Sequence, residues 1–216
     1  MRKLKQALTV CAVALSLFTV SCSSQEVPPA HKGRMFDKTG AAAFWVGGDG
    51  FEGPVLGPGT YYTGLYPEVR LVDCGQYAPK EPLTALTKDG VQFSLDVYVT
   101  FSANCDEEKS VVAILEKLAP DGIPAEKPVD GAAPADVHAD LKLTVTSVQL
   151  YRVFIRPAIG EAVRQAVSPY VANDVNAKRE EIFEKIKKNF DEILAKHALK
   201  LVTIHGLNLS NLDFPQ

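Results

Sequence analysis

The stretch Thr87–Phe101, TKDGVQFSLDVYVTF, constrains the fold more than any other part of the chain. Val91, Phe93, Leu95, Val97, Val99 and Phe101 alternate with Gln92, Ser94, Asp96, Tyr98 and Thr100. Successive side chains of a strand point to opposite faces, so this spacing predicts a long antiparallel strand with one dry face and one wetter face. Lys88-Asp89-Gly90 immediately before it carries the Asp-Gly signal of a tight hairpin, which makes Leu83–Thr87 the expected partner strand. The rest of the chain has to cover that dry face.

The flanking segments supply sheet and cover. His31–Gly64 is rich in glycine and aromatics and reads as short strands joined by tight turns. Within it, Ala41–Val46 holds the only tryptophan, Trp45, and reads as an edge strand packed on the core or a segment that dips into lipid headgroups. Tyr66–Cys74 is a further strand, with Val69 and Leu71 opposite Arg70 and Val72. Glu107–Leu118 has helical spacing at Val111, Val112, Leu115 and Leu118, with acids in its first turn. Ala119–Asp140 carries four prolines and two glycines and almost no large apolar residue, which predicts an exposed, largely unordered loop: an insertion or a partner-binding tongue.

Beyond it, Tyr151, Ile155, Ile159 and Val163 step by four and form a buried helical stripe, with Pro157 kinking that helix or starting it. Arg152, Arg156 and Arg164 share a neighbouring stripe and are expected to pair with local acids. The next helix is expected to start at a cap, Asn173 or Asn176, and to run to about His197. Ile182, Ile186, Phe190, Ile193 and Leu194 form its dry face. Glu181–Lys185, Glu184–Lys188 and Glu192–Lys196 are stabilising i,i+4 pairs on it. Leu199–Leu212 returns as a strand, ended by Asp213-Phe214-Pro215.

The N-terminus reads as an export signal. Arg2, Lys3 and Lys5 precede an apolar run, Ala7–Val20, shorter than the roughly 20 residues a membrane-spanning helix needs. Cleavage after Ser21 would expose Cys22. Phe18–Cys22, FTVSC, resembles the bacterial lipobox, in which the cysteine is lipidated and becomes the new N-terminus, although Thr19 departs from the usual aliphatic residue. The expected organisation is a signal peptide at 1–21, a lipidated tether at 22–30 and a folded domain at 31–216. The tether spans at most roughly 26 Å beyond the cysteine, which keeps the domain close to the bilayer. Ser23, rather than Asp, after the cysteine points to the outer membrane, with the domain facing the periplasm. Two cysteines then remain, Cys74 and Cys105, and two alternatives stand for them: a disulfide, as export favours, or two separate buried thiols.

Composition excludes some partners. The formal net charge is −3, and without the three cations of the first 21 residues it falls to about −6, a poor match for a nucleic-acid backbone. The four histidines, His31, His138, His197 and His205, share no helical turn, and HExxH, CxxC, GxSxG and SxxK patterns are missing. Asp73, Asp89 and Asp96 are explained by turns and wet faces, and Arg179 as a structural or capping arginine. No catalytic residue, metal ligand or cofactor is expected.

Taken together, GPGTYYTGLYPEVRLVD (Gly57–Asp73), TKDGVQFSLDVYVTF, AVRQAVSPYVANDVNAKREEIFEKI (Ala162–Ile186) and LAKHALKLVTIHGLNLSNLDFP (Leu194–Pro215) resemble the SPFH domain of the Band 7 family of stomatins, prohibitins and flotillins. The resemblance implies an α+β (mixed α/β) fold: a curved, mostly antiparallel sheet with packed helices. It also implies a non-catalytic, membrane-anchored scaffold that self-associates or engages membrane proteins such as proteases. The chain departs from that family in two ways. It ends at Gln216 without the long coiled coil that drives ring assembly, and its anchor reads as lipid. A lipid- or small-ligand-binding lipoprotein using the sheet as a cup is the alternative from another class, and an envelope hydrolase is a third.

Overall fold

The computed structural model describes residues 23–37, 50–64, 67–121, 143–197 and 200–213. Among the described residues the strands are β1 (Ser23–Val27), β2 (His31–Asp37), β3 (Phe51–Leu56), β4 (Gly59–Gly64), β5 (Pro67–Asp73), β6 (Lys80–Leu86), β7 (Gln92–Ala103), β8 (Thr144–Val145) and β9 (Val202–Asp213). The helices are α1 (Glu108–Lys117), α2 (Ser147–Leu150), a π-turn at Tyr151–Ile155, α3 (Arg156–Val167), α4 (Ala172–Ala177) and α5 (Arg179–His197). The fold is α+β.

β7 is the long strand read from the alternation. Phe93, Leu95, Val97, Val99, Phe101 and Ala103 are all buried, while the intervening residues are exposed or half-exposed. β6 and β9 flank it antiparallel in a three-stranded sheet, with Leu83 opposite Leu95 and Leu207 opposite Val99. The β6–β7 turn closes on Thr87, whose amide donates to the Val91 carbonyl (3.0 Å), and Gly90 adopts φ +78°, which a side chain would resist.

The inward row of β7 is covered by helices. Ile159, Ala162, Val163, Ala166 and Val167 of α3, Ile182, Ile186, Phe190 and Leu194 of α5, and Val111, Ile114 and Leu115 of α1 join it in one core. In α1 the buried row runs through Ile114, and Val112 is only half-buried. The stripe Tyr151–Ile155–Ile159–Val163 is buried throughout, and Pro157 falls in the first turn of α3. The π-turn sits just ahead of it, with the Arg156 amide reaching back to the Tyr151 carbonyl. Proline lacks the amide a continuous α-helix would use there, so the wider turn lets the helical run pass without a break.

A second sheet, ordered β3-β2-β5-β8, is antiparallel except for the parallel β5–β8 pair. β5 lies between two apolar layers. Val72 enters the main core, whereas Val69 and Leu71 join Val27 and Leu56 in a small cluster beneath the β1–β4 ribbon. Cys74 and Cys105 are bonded, with Cα atoms 5.9 Å apart across 31 positions, so this sheet is joined to the end of β7. Closing that loop contributes roughly 3–4 kcal/mol in the chain-entropy picture.

Several expectations need correction. Ser23–Val27, placed in the 22–30 tether, form β1, paired with β4 from Ser23–Gly64 to Val27–Gly59. Apolar burial of Val27 and the Gln25 side chain, which accepts the Val69 amide at 2.5 Å, explain why. The single helix expected to about His197 is two, α4 and α5, broken at Lys178. Neither asparagine caps α4. Its cap position is Val171, and the Ala172 amide donates to the Asp89 carboxylate of the β6–β7 turn at 3.2 and 3.3 Å. A capping acceptor need not be local in sequence: the Lys88 amide donates to the Tyr170 carbonyl at 2.7 Å and docks the turn on the helix. Glu184 pairs with Lys187, not Lys188, at 2.9 Å, while Glu181–Lys185 forms at 2.9 Å. Arg179 is exposed and lies 5.1 Å from the Phe183 ring centre, a cation–π contact instead of a cap. Residues 1–22, the Ala41–Val46 segment and all but the start of the 119–140 loop lie outside the described residues.

Phe101→Ala should cost about 3–5 kcal/mol in denaturant unfolding, the range for emptying a fully buried phenylalanine site. The Thr87 hydroxyl and the Ala172 amide hold the Asp89 pKa below the usual carboxylate value. Its stabilising effect is therefore complete at neutral pH and is lost as pH falls through that lowered value. Asp89→Asn should flatten the acid limb of the melting-temperature profile below the ordinary carboxylate range, about pH 4.

Candidate interaction surfaces

Among the described residues no group of histidine, cysteine, aspartate and glutamate has the geometry of a metal site. The His31 ring contacts the Pro29 carbonyl at 2.9 Å and the His205 ring contacts the Ser102 hydroxyl at 2.9 Å. Asp73 is a junction: its carboxylate accepts the Ser147 hydroxyl (2.7 Å) and the Gly75 amide (2.8 Å).

The most concentrated polar cluster is one the sequence did not single out. The Tyr151 hydroxyl donates to Glu81, whose other carboxylate oxygen lies 2.6 Å from the Arg156 guanidinium. Burial, then the bond to Glu81, pushes the Tyr151 pKa well above the usual tyrosine range, so the phenol stays protonated. Phe101 stacks on the same ring at 6.2 Å and Tyr77 meets it edge-on at 6.3 Å. Each charged or polar group has a partner within the cluster, which bolts edge strand β6 to the π-turn and the start of α3. The signal available in sequence was Tyr151 itself: a tyrosine on a buried stripe needs a hydrogen-bond partner for its hydroxyl.

What the fold offers outward is sheet surface. The outer face of the three-stranded sheet carries Lys80, which bonds Asp96 at 3.0 Å and lies over the Tyr98 ring. The Tyr98 hydrogen bond, and next the Asp96 one, raise the Lys80 pKa, so this cation persists at alkaline pH. The two edges of the sheet differ. β6 bears Lys80, Glu81 and Pro82, which discourage strand addition. β9 has only His205 and Asp213 as titratable groups, and on its inward side Ile204, Leu207 and Leu209 are only half covered. Among the described residues no strand pairs with the outer edge of β9, and such an edge beside an incompletely buried apolar row can accept another strand.

Cys22 lies outside the described residues, one position before β1. Among the described residues no helix is long and apolar enough to cross a membrane. Tyr151→Phe removes a hydrogen bond to a carboxylate and should cost about 1–2 kcal/mol by chemical denaturation without altering the far-UV spectrum.

Residues 38–216 match the SPFH domain / Band 7 family, so the match covers every described element from β3 onward, and β1 and β2 precede it. No individual curated protein matches the chain. Proteins with this domain are membrane-associated, generally non-catalytic, and commonly assemble with one another or with membrane proteins. The family match and the helix-covered antiparallel sheet agree, and the chain belongs to the SPFH domain / Band 7 family.

Proposed function

We propose that the protein is a lipid-anchored, non-catalytic scaffold of the bacterial cell envelope. The match of residues 38–216 to the SPFH domain / Band 7 family carries this reading. In it, residues 1–21 are removed as a signal peptide, Cys22 takes the lipid, and the folded part begins at Ser23. The domain faces the periplasm, more readily from the outer membrane given Ser23, where an oxidising environment keeps Cys74–Cys105 closed. Several acyl chains together hold a protein firmly, whereas one would be marginal.

The scaffold acts by presenting surfaces. Its reach is toward a second copy of itself or a membrane protein such as a protease, and the weakly protected β9 edge is the part of the domain best suited to such contact. The inward face of β7, which a lipid- or small-ligand-binding cup would need to keep open, is filled by helix side chains, and this favours the scaffold over the cup.

Cys22→Ser should move the protein from the membrane pellet to the soluble fraction after cell disruption. Retention of that variant in the membrane would contradict lipid anchoring. Cross-linking of intact cells should yield species larger than the monomer, and a monomer alone would contradict scaffolding.

A further inference from the structure

The pairing pattern places several strand ends together. Ser23, the first residue of β1, is paired with Gly64, the last of β4. Three residues later Pro67 begins β5 and is paired with Asp37, the last of β2. The Asp37 amide donates to the Gly50 carbonyl at 2.7 Å, which brings the start of β3 to the same place. Cys22 is therefore joined to one defined end of the β-structure. His31, Asp73 and the Cys74–Cys105 bridge mark the opposite end, about 20 Å away along seven-residue β5.

The join has no slack. β1 is held along its length by β4, by the Gln25 side chain on the Val69 amide and by the burial of Val27. A lipid on Cys22 would pull on a structural strand instead of a loose leash. Near the start of β1 stands Tyr62, among the described residues the most exposed large hydrophobic side chain at 80%. It is directly opposite Ser24, which follows the proposed lipid site by two positions in the chain. The headgroup layer on each side of a bilayer is about 5–7 Å deep, and tyrosine favours that layer because its ring is apolar and its tip polar. Its neighbour Tyr61, by contrast, is partly buried and donates to the Gly57 carbonyl at 3.0 Å.

We propose that Tyr62 is a headgroup-level contact which, with the lipid on Cys22, holds the β1–β4 end of the domain against the bilayer and fixes its orientation, the disulfide end pointing away. The inference rests on the lipid anchoring proposed above. Two contacts side by side on one rigid ribbon prevent the tumbling that a single flexible attachment permits. The β9 edge is then presented at a constant height and angle to anything else on the same membrane.

The test uses the full chain, processed in cells and reconstituted into vesicles of phosphatidylethanolamine and phosphatidylglycerol with or without bromine-labelled acyl chains. In a Trp45→Phe background, Tyr62→Trp reports on the lipid end and His31→Trp on the far end. The Tyr62→Trp protein should emit at blue-shifted wavelength and lose several-fold intensity with brominated lipid, and the His31→Trp protein should be unaffected. Equal quenching of both, or of neither, with the protein still floating with vesicles, would overturn the orientation and leave the anchor standing. Failure of the processed chain to float with vesicles would overturn both. Matching thermal melts for the two variants and the parent guard against misfolding.

Discussion

Burial of one face of β7 is the interaction the rest of the molecule depends on. Phe93, Leu95, Val97, Val99 and Phe101 are each at most 2% exposed. Removing such side chains from water contributes about 1.5–3 kcal/mol apiece, more than any ion pair in the fold can supply. Because the strand alternates strictly, a one-residue slip would put this whole row in solvent, so the register of β6 and β9 is fixed by it as well. The helices share one core with this row, α3 and α5 through their apolar stripes and α1 from where it packs on β5 of the second sheet.

Polar groups then tie the remaining parts to this centre at a few points. Asp89 closes the β6–β7 turn and caps α4. Glu81 joins β6 to the π-turn through Tyr151 and Arg156, and Asp73 holds Ser147 at the start of α2. The Cys74–Cys105 bridge links the two larger sheets. In each case the carboxylate is engaged in holding elements together.

What was legible in the sequence were features with a local period. Alternation marked β7, steps of four marked α3 and α5, and Asp89-Gly90 marked the hairpin between β6 and β7. What was not legible depends on partners distant in the chain. Ser23–Val27 has no strong period of its own and becomes a strand only because β4 and the Val69 amide receive it. The α4 cap was sought in Asn173 or Asn176, the local candidates, while the acceptor came from Asp89. The approach of Cys74 to Cys105 follows from β5 ending beside the exit of β7, which spacing alone does not encode. Glu81 lies outside the Leu83–Thr87 segment that the sequence marks as a strand, and its role depends on Tyr151, 70 positions away. The family resemblance, carried by the order of segments and not by a single motif, was the part of the functional reading the sequence supplied best.

Orientation is where fold and role meet. A strand that begins one residue after the proposed lipid site converts membrane attachment into a geometric constraint on the whole domain, and the β7 core makes that domain rigid enough for the constraint to matter. Native-state hydrogen exchange measures this rigidity most directly. The account predicts that the amides of Leu95–Phe101 exchange only through global unfolding, with an opening free energy equal to the stability from denaturant titration. Exchange of those amides through a smaller local opening, ahead of the α3 and α5 amides, would contradict the claim that this strand organises the molecule.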